Sequence, residues 1–126
     1  MESIIQCLNM PTGQSEETRV IILKENIFVG HACVMYKNLR SACIYQLYVH
    51  PEYRRVKIGS ALIEHCCLLA MEEGCETIGL TLKDGNNEAF LFYSTLNFRF
   101  GYQYDDGDSL LIRQLFKFKE NYGTDT

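Results

Sequence analysis

Arg54, Arg55 and Lys57 crowd one turn of an otherwise acidic chain, between an apolar stretch that ends at Val49-His50-Pro51 and a helical pattern that begins near Gly59. The first backbone N–H groups of a helix have no internal partners, and the helix dipole is positive at that end. A strand, a turn and a helix start with added positive charge therefore describe a cradle for a phosphate or pyrophosphate. The same residues also read as an ordinary strand-to-helix connection with a solvated basic turn, and the local stretch does not separate the two. The formal net charge is -4 over 126 residues, so the turn is a local reversal of sign. Nothing global suggests nucleic acid or an anionic membrane as a partner.

The remaining reactive side chains point to less. The six cysteines (Cys7, Cys33, Cys43, Cys66, Cys67 and Cys75) contain no C-x-x-C pair, and His31, His50 and His65 do not stand at ligand spacing from them. That pattern predicts no metal site and no disulfide framework, and reads as buried, reduced thiols in a cytoplasmic protein. The start of the chain lacks the basic and apolar blocks of a signal peptide, and no run approaches the ~20 apolar residues of a membrane span.

The elements that must position the turn follow from periodicity. The length predicts a single domain over 1–126, with 1–17 a short helix or irregular segment and 118–126 a frayed tail. Ile4, Ile5 and Leu8 are placed on the face of that short helix, and Pro11-Thr12-Gly13 breaks it. Arg19 to Lys24, Ile27 to Tyr36 and Ala42 to Val49 read as strands joined by short turns, an antiparallel meander in which Gly30 marks a bulge. From Gly59 a helix carries Leu62, Cys66 and Leu69 on one face, and Gly74 stops it. Thr77 to Leu82 is the next strand, and a helix between two strands favours a parallel crossover. Asn87 to Leu96 reads as a short helix burying Ala89, Phe90, Phe92, Tyr93 and Leu96, with Asn97 as a left-handed cap. Phe98 to Tyr104 and Ser109 to Lys117 form a final hairpin about Asp105-Asp106-Gly107-Asp108.

This order, with two of its motifs, resembles the GNAT superfamily of acetyl-coenzyme A-dependent N-acetyltransferases. Leu47 to Leu62 resembles the family's V-x-P-x-x-R followed by its Q/R-x-x-G-x-G/A pyrophosphate loop: Val49, Pro51, Arg54 and Gly59 match. Asn86 to Phe98 resembles N-x-x-A-x-x-F-Y-x-x-x-G-F: Asn86, Ala89, Phe92, Tyr93 and Phe98 match, and Asn97 replaces the glycine. The resemblance implies an α+β fold with a mixed, mostly antiparallel sheet, a β-α-β crossover and a C-terminal hairpin. It implies acetyl-coenzyme A as acetyl donor and an amine, small or on a protein, as acceptor. It assigns the pyrophosphate to Arg54, Arg55, Val56, Lys57, Ile58, Gly59 and Ser60. Pantetheine falls to the backbone of Leu47 and Val49, in a gap where the strands from Ala42 and Thr77 splay, and Asn86 completes the cofactor-binding set. Tyr93 becomes the acid that protonates the departing thiolate.

Departures from the family pattern frame a second reading. Lys57 stands at a loop glycine position, and Tyr45 and Gln46 occupy a strand position where many members carry a glutamate base. His50 is one other candidate base. Only about 18 residues precede the first family-like strand, which leaves the acceptor wall open, completed by a partner chain, or absent. The alternative is thus a GNAT-fold binding or regulatory module without catalysis. The aromatic-rich strands from Phe98 to Phe116 could also pair two copies at the sheet edge as a homodimer.

Overall fold

The computed structural model describes residues 5–11, 16–38, 40–54 and 57–115. The elements run β1 (Ile5–Pro11), β2 (Glu17–Lys24), β3 (Ile27–Tyr36), β4 (Ser41–Val49), a single 3-10 turn (Pro51–Tyr53), α1 (Ile58–Glu72), β5 (Thr77–Leu82), α2 (Asn87–Thr95), β6 (Arg99–Gln103) and β7 (Ser109–Gln114). The strands form one seven-stranded sheet in the order β1-β2-β3-β4-β5-β7-β6. Only β4 and β5 pair in parallel, and every other neighbouring pair is antiparallel. This is the mixed sheet with a crossover and a terminal hairpin that the sequence predicts.

Alternation along the strands decides which face is buried. Val20 and Ile22 of β2, Ala32 and Val34 of β3, and Ala42 and Ile44 of β4 are buried with Ile58, Leu62, Ile63 and Cys66 of α1. Ile58, Leu62 and Cys66 repeat every four residues, so they form one stripe along the helix. The Glu25-Asn26 turn between β2 and β3 has both residues at positive φ (54° and 69°), as a tight two-residue hairpin requires. Gly74, at φ 89°, ends α1 in the left-handed conformation, and the Cys75 N–H donates back to the Ala70 carbonyl at 2.9 Å. All six cysteines are free thiols. Cys33, Cys66, Cys67 and Cys75 are buried, and Cys7 and Cys43 half-buried.

Some expectations are corrected. The described part of 1–17 is neither helical nor irregular: Ile5–Pro11 is a strand paired along the edge of β2, from Ile5 opposite Lys24 to Pro11 opposite Thr18. Leu8 matches a helical face but also a strand's alternation, and the open edge of β2 selects the strand. Residues 1–4 and 12–15 lie outside the described residues, as does the tail from 116, so β7 is described only to Gln114. In α2 no residue is fully buried. Ala89, Phe92, Tyr93 and Leu96 form a half-buried stripe, whereas Phe90 is exposed. Phe90 lies one residue, about 100°, round the helix from Ala89, outside that stripe. Among the described residues no helix is long and apolar enough to cross a membrane.

Candidate functional site

The parallel ladder between β4 and β5 is short. Ser41, Ala42 and Cys43 pair with Thr77, Ile78 and Gly79, and pairing ends there although both strands continue. The cause lies partly in β4. Tyr45 and Tyr48 face Cys33 and His31 of β3, so Gln46 and Leu47 together oppose Ala32. That is a β-bulge, which bends its strand and strengthens the local twist. Gln46 takes φ 56°, unusual for a residue with a Cβ, and its Oε1 accepts from the Cys33 thiol at 3.5 Å. Gly30 makes the close approach of β3 possible: a Cβ there would fall 2.8 Å from the Tyr48 carbonyl oxygen. The sequence places a bulge at Gly30, and the β2–β3 register does shift beside it.

The gap opens into a cleft of about 560 Å³ lined by Leu47, Tyr48, Val49, Arg54, Lys57, Gly59, Ser60, Ala89, Phe92 and Tyr93. The β4 end, the basic turn, the start of α1 and one face of α2 therefore meet at one place. Arg54 is held there by its Nε, which donates to the Val49 carbonyl at 2.9 Å. Lys57 precedes α1 in the left-handed region, at φ 67° and ψ 22°. The first bond inside α1 runs from the Ala61 N–H to the Lys57 carbonyl at 3.1 Å. The N–H groups of Ile58, Gly59 and Ser60 thus have no acceptor inside the helix. No side chain caps them, and no acidic residue stands in the first turn. A helix start with no cap, no carboxylate and a flanking lysine is suited to an external anion.

The opposite wall is α2. Asn86 caps it, accepting from the Ala89 N–H at 3.1 Å. The Tyr93 ring packs edge-on against Phe92 and Phe98, with centroids 5.1 and 5.9 Å away. Burial raises the Tyr93 pKa above the ordinary tyrosine value, so its hydroxyl stays protonated at neutral pH. The start of α1 lies close to α2: a Cβ on Gly59 would sit in ordinary van der Waals contact, 3.5 Å from Phe92 Cζ.

Among the sequence-derived candidates, Leu47, Val49, Arg54, Lys57, Gly59, Ser60 and Tyr93 share the cleft. The Ile58 side chain is fully buried in the core, leaving only its backbone to act. Asn86 is not in the lining, and its side chain positions α2 instead. Arg55 and Val56 lie outside the described residues. His50, a candidate base, spends its Nδ1 accepting from the Glu52 N–H at 3.2 Å. Of the aspartates after β6, Asp106 accepts from the Asp108 N–H within the hairpin, and Asp108 accepts from the Asp84 N–H in the turn after β5. Tyr48, Ala89 and Phe92 line the cleft without having been singled out as site residues. Ala89 and Phe92 stood in the matched motif but were read as core because they are apolar. A second depression, of about 620 Å³, lies by Met71, Phe100 and Ile112. It is larger, but its lining holds neither a helix start nor the basic turn.

A family model described as the acetyltransferase (GNAT) family matches residues 4–98. The chain belongs to the GNAT acetyltransferase family. The thialysine N-epsilon-acetyltransferase of Sus scrofa is 37% identical to this GNAT chain over 60 residues, 48% of the chain and 35% of that relative. The chain thus spans about a third of the length of that relative. Among solved structures, the ribosomal-protein-S18-alanine N-acetyltransferase of Escherichia coli superposes with a TM-score of 0.78 at 16% identity, over 90% of this chain and 96% of that one. A GNAT family acetyltransferase from Elizabethkingia anophelis with acetyl-CoA bound also gives 0.78, at 12% identity, over 88% and 98%. At these identities the structural likeness speaks for the fold.

Proposed function

We propose that this GNAT domain is an N-acetyltransferase that passes an acetyl group from acetyl-coenzyme A directly to an amine. The observation that carries the reading is the uncapped start of α1, opening with Arg54 and Lys57 into the same cleft as Tyr93. Acetyl-coenzyme A supplies an acyl group activated as a thioester. The N–H groups of Ile58, Gly59 and Ser60, with Arg54 and Lys57, hold its pyrophosphate. By the family resemblance of the sequence, Arg55 and Val56 would join them. The β4 edge at Leu47 and Val49, left without a ladder partner in β5, offers backbone groups to pantetheine as an added strand would. Tyr93 holds the proton that the departing thiolate takes up. The pig relative's name supports an acceptor with a lysine-like side-chain amine, free or on a protein, and the free thiols suit a cytoplasmic setting. β6, an edge strand with Phe100 and Tyr102 exposed, is the surface at which a second copy would pair.

Thermal unfolding with and without acetyl-coenzyme A tests the cofactor. At 100 times Kd a native-state ligand adds about 2.7 kcal/mol. No rise in Tm at millimolar ligand excludes the reading. A rise without transfer to any amine supports a binding module instead, a reading favoured by Lys57 in the left-handed conformation and by the absence of a carboxylate on β4.

A further inference from the structure

A smaller depression, of about 350 Å³, borders the gap between β4 and β5 from the sheet face turned away from α1. Alternation places it on that face. Ala42, Ile78, Leu80 and Leu111 are buried in the core that α1 covers, so the positions next to them turn the other way. Those positions form its lining: Ser41 and Cys43 on β4, Thr77 and Gly79 on β5, and Leu110 and Ile112 on β7. Gly79 leaves the floor without a side chain, and a Cβ there would press on Leu110 Cδ1 and the Leu111 carbonyl oxygen, both at 3.2 Å. The depression begins where the ladder ends, since Cys43 and Gly79 are the last paired residues of β4 and β5. Thr81 lies on the stretch of β5 without a β4 partner and also lines the depression. Leu47 and Val49 lie on the matching stretch of β4 and line the cleft. The two cavities therefore flank one gap.

Lys37 supplies the charge. Its backbone N–H donates to the Ser41 carbonyl at 2.9 Å, which fixes it beside the start of β4. Among the described residues of the lining it alone is charged, and Ser41, Thr77, Thr81 and Tyr104 add hydroxyls. Burial raises the Cys43 pKa and the Lys37 charge works against it, which puts the ammonium near the same hollow. A hollow with apolar walls, several hydroxyls and one ammonium suits a carboxylate on an aliphatic stem.

Resting on the transfer reaction proposed above, we infer that this depression seats the carboxylate end of an acceptor amino acid, free or at a chain end. Lys37 pairs with the carboxylate, Leu110 and Ile112 pack against the stem, and the stem carries the amine along the gap to the cleft. The start of α1 and Phe92 of α2 stand together on the other face, so among the described elements the face with the depression is the one open to an acceptor. From Cys43 to Leu47 is four residues, about 13 Å at ~3.3 Å per residue. An amino acid with a lysine-length side chain covers that span once a hydrogen bond of ~3 Å is added at each end. The seat thus selects amines that carry a carboxylate at that distance over amines that carry none.

A matched pair of acceptors tests the seat. ε-Aminocaproate has the lysine chain, one amine and the carboxylate, and ε-aminocaproamide differs only in lacking the charge. Thiol release from acetyl-coenzyme A is followed with each. In the wild type the acid should exceed the amide by about tenfold in kcat/KM, carried by KM, and high salt should shrink the difference. Lys37→Ala and Lys37→Glu, at an exposed position, should abolish it and Lys37→Arg should keep most of it, with the acetyl-coenzyme A rise in Tm unchanged in all three. An N-blocked peptide ending in lysine, as acid and as amide, separates the two sources of carboxylate: a shared preference admits chain ends, and its absence restricts the seat to free amino acids. Equal kcat/KM for ε-aminocaproate and its amide in the wild type, or a difference that survives in Lys37→Ala, overturns the seat and leaves the transferase reading standing. Wild-type chain that gains Tm with acetyl-coenzyme A yet releases no thiol with any acceptor, amides included, overturns the transferase reading and the seat with it.

Discussion

Lys57 concentrates the tension of the site in one residue. Its φ of 67° places a Cβ against the following carbonyl, at a cost of about 1–2 kcal/mol. Lys57→Gly should therefore raise stability by up to about 1 kcal/mol, a few degrees in Tm, after the added entropy of the unfolded glycine is counted. The same change removes a cation from the cleft, so acetyl-coenzyme A should bind more weakly, with the loss largest at low ionic strength. Calorimetry at two salt concentrations, with thermal unfolding, separates the effects; a fall in Tm would show that the left-handed backbone at Lys57 is not strained. Tyr93 gives a second prediction. Tyr93→Phe should keep the ligand-induced rise in Tm and lose about 100-fold in turnover; unchanged turnover removes Tyr93 from the chemistry. Because burial raises its pKa, the native state binds this proton more tightly than the unfolded one. Stability should then fall as pH climbs from ~10 through the folded value, and Tyr93→Phe should remove that part of the alkaline loss. Both residues could be singled out in the sequence, but unequally. Asn97, at φ 72°, was predictable as a left-handed cap because asparagine tolerates that region. Lysine has no such preference, so its backbone became visible only in three dimensions.

At the scale of elements, the opening between β4 and β5 is built by a bulge on one strand and a glycine on its neighbour. Gly30→Ala tests the pairing. The new Cβ would meet the Tyr48 carbonyl at 2.8 Å and Leu62 Cδ1 at 3.2 Å, and backbone cannot yield as a flexible side chain can. The expected cost is about 1–3 kcal/mol, with weaker acetyl-coenzyme A binding because Tyr48 and Val49 must move. Ile27→Ala, at an exposed position of the same strand, should leave binding unchanged. Equal binding by Gly30→Ala and the wild type would separate the bulge from the cleft. Elements with strong internal patterns were legible: β3, β5 and α1 lie where alternation and a four-residue stripe put them. β1 was not, because its short apolar pattern fits either period and the deciding partner is the free edge of β2. The same holds for α2, whose apolar stripe was read as core when it forms the rim of a cleft.

The whole molecule is unevenly stabilised, and the site spans the unevenness. α1 buries Ile58, Leu62, Ile63, Cys66, Cys67 and Ala70 against the sheet, whereas α2 buries no residue fully. Local opening free energies follow such differences in buried contact, so α2 should exchange its amide hydrogens well before α1. The cleft joins the two through Gly59, Ser60, Ala89, Phe92 and Tyr93. If ligand must leave before α2 opens, acetyl-coenzyme A at 100 times Kd should slow α2 exchange by about 100-fold, the exchange equivalent of ~2.7 kcal/mol. Amides in the centre of β2 and β3, already protected by the core, should slow only as far as global unfolding sets them. Hydrogen exchange with mass spectrometry reads both regions in one experiment. Slowed exchange in α2 with a matching rise in Tm places the short helix over the bound ligand, as the role of Tyr93 requires. Unchanged α2 exchange beside a clear rise in Tm would mean that ligand is held by β4 and α1 alone, and the thiolate would need another proton source.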